Sequence, residues 1–98
     1  MSHPLKGKSK DKVLVELIEA DVDIGFGLVD EAKTYLASGQ PELMSRVLQD
    51  AAAVVADIEC RLRQLGDSEA RPFHPLLTEL RSEIAAVGST DSQDESSG

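Results

Sequence analysis

The sequence has no tryptophan, one tyrosine and two phenylalanines among its 98 residues. So few aromatics leave little to fill a β-sandwich core, and no stretch shows the apolar/polar alternation of a half-buried strand. A single cysteine, Cys60, leaves no partner for an internal disulfide and fits a reducing compartment. No run approaches the ~20 apolar residues needed to cross a bilayer. The opening residues, MSHPLKGKSKDK, hold no apolar h-region, so they do not read as a signal peptide, and cytoplasm is the expected location.

Positive charge is scarce as well. Ten lysines and arginines stand against 18 acids, for a net charge of −8. Nucleic-acid binders display a basic patch that displaces counterions from phosphate. The one basic cluster here is Lys6, Lys8 and Lys10 in a short leader, so neither nucleic acid nor an anionic membrane surface is an expected partner.

Catalytic sets are missing too. Gly25-Phe26-Gly27 lacks the third glycine and the preceding strand of a dinucleotide-binding turn, and no Gly-Lys-Ser/Thr loop exists. Neither His3 nor His74 follows an acid by three residues, as di-iron bundle sites require. Glu16, Glu19, Asp23 and Asp30 share one side of a helix and read as a solvated face; a cation site or a docking surface for a basic partner is the functional alternative. Cys60 has arginines beside it but no histidine that helical spacing places within reach. No enzyme, cofactor or metal is expected.

What is present is helical periodicity. Residues 1–8 read as a disordered leader, with Ser9 an expected N-cap. Val15, Ile18, Val22, Phe26, Val29, Ala32 and Leu36 then recur at three- and four-residue steps, predicting a helix over about 10–38 that Gly39 ends. Pro41 suits the first position of a second helix, about 41–65, which carries Met44, Val47, Leu48, Ala51, Val54, Val55, Ile58, Leu62 and Leu65. The short link forces an antiparallel hairpin. Residues 66–74 read as a loop, Pro75 opens a third helix over about 75–87, and 88–98 form a disordered acidic, serine-rich tail. The expected fold is all-α: one domain over 9–87, a long antiparallel hairpin plus a short third helix, a three-helix bundle completed into a larger one by dimerisation.

Two features carry functional expectations. Gly25 and Gly27 lie mid-helix, where each costs about 0.5–1 kcal/mol relative to alanine. Close packing of Gly25 against Ala51 and Ala52 of the second helix is the expected compensation. The first helix also has a second apolar row, and the short third helix can cover only part of it. The remainder, Leu14, Leu17, Asp21, Ile24 and Leu28, is the expected interaction face for a homodimer or for a partner's helix, with Asp21 read first as half of an ion pair with Arg61 of the second helix and otherwise as a polar contact at that face. The protein therefore reads as a non-enzymatic helical interaction or oligomerisation module. The alternatives are a small ligand-binding or catalytic bundle with a pocket near Asp21 and Gly25, and an acidic docking surface.

Overall fold

A computed structural model describes the backbone of residues 3–97 and the side chains of residues 11–89. Every element among the described residues is helical: α1 (His3–Ala37), α2 (Pro41–Leu62), α3 (Asp67–Ala70) and α4 (Phe73–Ser97). Three of the four prolines, Pro4, Pro41 and Pro75, fall in the first turn of a long helix. There the missing N–H would have had no intrahelical acceptor.

The hairpin turn is built by Gly39, the only described residue with positive φ (+75°). Gln40 N–H donates to Tyr35 O at 2.9 Å and Gly39 N–H to Leu36 O at 3.2 Å. These two bonds form a Schellman motif, which satisfies carbonyls that α1 would otherwise leave open. Thr34 O accepts twice, from Ser38 N–H at 3.0 Å and from Ser38 Oγ at 2.9 Å. The chain reverses and α2 returns antiparallel along α1.

α2 stops at Leu62, three residues before the expected boundary, because its last turn tightens: Gln64 N–H donates to Arg61 O and Leu65 N–H to Leu62 O. Residues 66–74 are no open loop. Gly66 caps the single-turn α3, its carbonyl accepting from Glu69 and Ala70. Leu65, Ala70 and Phe73 are buried there and pin the corner to the bundle.

Two boundaries move outward. α1 begins at His3, so residues 3–8, expected as an unstructured leader, are its first turns and Ser9 is not its N-cap; residues 1 and 2 lie outside the described ones. α4 begins at Phe73 and passes through Gly88 to Ser97 instead of spanning 75–87. Gly88 does not take the left-handed conformation that would make it a stop, and its α-carbon packs towards Leu48. One glycine in a helix interior costs about 1 kcal/mol against alanine, too little alone to end a helix.

The core is a single apolar seam between α1, α2 and α4. Ile18, Val29, Met44, Ile58 and Leu80 are its largest fully enclosed side chains, and no described polar or charged residue is buried. α4 lies along both members of the hairpin. The molecule is a rod of 66 × 19 × 15 Å. The 35 residues of α1 account for about 52 Å of helix at 1.5 Å per residue.

Candidate functional site

Which sides of α1 are covered follows from three contacts. Asp21 faces α2, where Arg61 reaches it. Gly25 and Lys33 face α4: Lys33 pairs with Glu83 at 2.8 Å, and a Cβ on Gly25 would stand 2.6 Å from Leu80 Cδ2. The side turned away from α4 is left open. Val13, Leu17 and Ile24 lie on it at 54, 42 and 51 % exposure, in a molecule whose other large apolar side chains are mostly buried. Ala20 and Gly27, also exposed, complete a strip within one helical sector.

The expected interaction face therefore divides. Leu17 and Ile24 are open. Leu14 is buried in the bundle's own core, Leu28 is half-buried against it, and Asp21 is taken by Arg61. The open strip is rotated away from α2 by about one residue and gains Val13, because Leu14 lies two turns before Asp21 on the side of α1 that α2 covers.

Gly25 does make room for a neighbour, but the nearest atoms all belong to Leu80 of α4. Ala51 is fully buried, whereas Ala52 is exposed beside Arg81 and Ala85. The nearest neighbour of Gly25 is thus a knob from the third long helix and not, as expected, Ala51 or Ala52.

At the α1/α2 edge, Arg61 bridges two carboxylates, Asp21 across the interface and Asp57 one turn back on its own helix. Burial pushes the Asp21 carboxyl above the usual carboxylate range and Asp57 adds to that, while the guanidinium of Arg61 opposes it. The cluster is an ion-pair clasp whose acid has its partner already.

A shallow groove runs between the end of α2 and α4, lined by Glu59, Arg63, Asp67, His74 and Arg81. Its charges are of both signs, and Arg81 is spent on Glu59. Cys60 is exposed and unpaired. Among the described residues, no group of three His, Cys, Asp or Glu side chains could hold a metal ion, and no helix is long and apolar enough to cross a membrane. The feature that most departs from an ordinary solvated surface is the strip on α1. No protein-family model, curated protein or solved structure matches this chain.

Proposed function

We propose that the chain is a non-enzymatic helical interaction and oligomerisation module that works through the open side of α1. One observation carries this reading: Val13, Leu17 and Ile24 keep roughly half their surface in water while lying in register on one helix face. Single exposed apolar residues need no explanation, but a contiguous strip on a small protein marks a contact surface. The bundle's own core is closed without them, so they are not awaiting an internal neighbour.

The Leu17→Ser/Ile24→Ser double variant tests the reading. Substitution of half-exposed residues should leave monomer stability within about 1 kcal/mol, with helical circular dichroism retained. Association, read as solution mass or as partner binding, should be lost. A monomer destabilised by more than about 3 kcal/mol, in the range of a core truncation, with association unchanged would assign the strip to internal packing and overturn the proposal.

A further inference from the structure

Resting on the interaction reading above, we infer that the strip on α1 docks onto α1 of a second copy of this chain, antiparallel, about a two-fold axis between Ile18 and Glu19. Val13, Leu17, Ala20 and Ile24 are spaced four, three and four residues apart, the step of a coiled-coil seam. That spacing reads the same from either end. Paired antiparallel about its midpoint, Val13 meets Ile24 of the second copy, and Leu17 meets Ala20 of the second copy. An isologous contact of this kind is what a C2 dimer requires.

Volume favours this orientation over the parallel one. Parallel pairing sets Leu17 on Leu17 and Ala20 on Ala20, one layer crowded and the next hollow. Antiparallel pairing sets large against small in both central layers, the arrangement in which facing helices interdigitate. Gly27 is the next residue in the spacing, with open space where a Cβ would stand, so the backbones can draw close beyond the apolar layers.

Charge points the same way. In the sequence, residues 6–12 hold four lysines and one acid, whereas residues 16–31 hold six acids and no base. Antiparallel pairing about the same axis lays residues 6–12 of each copy beside residues 25–31 of the other, which include Asp30 and Glu31. Parallel pairing stacks like charge on like. One like-charge contact remains: Glu16 and Asp23 border the seam on one side and approach each other across it. Its removal in Glu16→Lys should tighten the dimer.

The test uses the full chain. Light scattering over a hundredfold dilution series should give twice the 10.5 kDa chain mass at the concentrated end. With Cys60→Ser as background, a mixture of Leu17→Cys and Ala20→Cys chains should oxidise to mixed dimers, far more than either chain forms with itself. Self-cross-linking of either chain as efficient as the mixture overturns the antiparallel register, as does a Glu16→Lys variant that dissociates more readily. A single-chain mass at every concentration overturns the second copy as occupant. Binding of another protein, lost in the Leu17→Ser/Ile24→Ser variant, would then uphold the wider interaction reading without it.

Discussion

Leu80 Cδ2 occupies the space beside Gly25 so closely that an added Cβ would stand 2.6 Å from it. Leu80 is fully buried, so it cannot swing aside into solvent. Gly25→Ala therefore sets two effects against each other. Alanine gains up to about 1 kcal/mol of helix propensity, and overpacking a filled core costs about 1–3 kcal/mol. The net is a loss of about 1 kcal/mol. Gly27, with nothing within 4 Å of its missing Cβ in the single chain, should give the opposite sign on alanine substitution at dilutions where the chain is monomeric, a gain of about 0.5–1 kcal/mol. Urea denaturation of the two variants side by side checks the difference in sign.

Gly39→Ala should cost about 1 kcal/mol, because the φ of +75° that closes the Schellman turn disfavours any L side chain. The hydrogen bonds from Gln40 and Gly39 back to α1 should survive, so amide exchange near the turn quickens without global rearrangement.

Phe73→Ala should be the most damaging of these changes, in the range of about 3–5 kcal/mol for truncating a buried phenylalanine. Phe73 opens α4 and, like Leu65 and Ala70 near it in the chain, is buried in the core. Loss of cooperativity between α4 and the hairpin, seen as early exchange of α4 amides, would locate the damage there.

The clasp at Arg61 predicts a pH dependence. The folded Asp21 carboxyl titrates above its unfolded value of about 3.9, so the folded state binds the proton more tightly. Its contribution is fully present below about pH 4 and is lost as pH rises through the folded pKa. Arg61→Met removes the one cation that opposes the shift and leaves Asp21 and Asp57 facing each other. The variant should lose more stability at pH 7 than at pH 4, measured by denaturation at both. An equal loss at the two values would mean the carboxylates are fully solvated.

The long hairpin and the existence of a third helix, though not its length, were legible in the sequence because long periodic segments and Gly39 are strong signals. α3 was not, since a single turn is too short to display a period. The outward extension of α1 and α4 was hidden by Gly7, Gly88 and polar residues that tolerate a helix without announcing one. The partner of Gly25 could not be read either. A hairpin places α2 opposite it by arithmetic alone, while nothing along the chain says from which side α4 approaches or that Leu80 is its knob. For the same reason Leu14, expected on the open face, lies in the core, while Val13, one residue and about 100° away and assigned to neither row, stands on the surface.

The rod shape bears on how this molecule is weighed. A particle 66 Å long and 15–19 Å across sweeps out far more volume as it tumbles than a sphere of equal mass. A single chain will leave a gel-filtration column early, at the position of a larger globular standard, and sediment slowly for its mass. Elution against such standards would indicate a dimer where none existed, so only an absolute mass can count the chains.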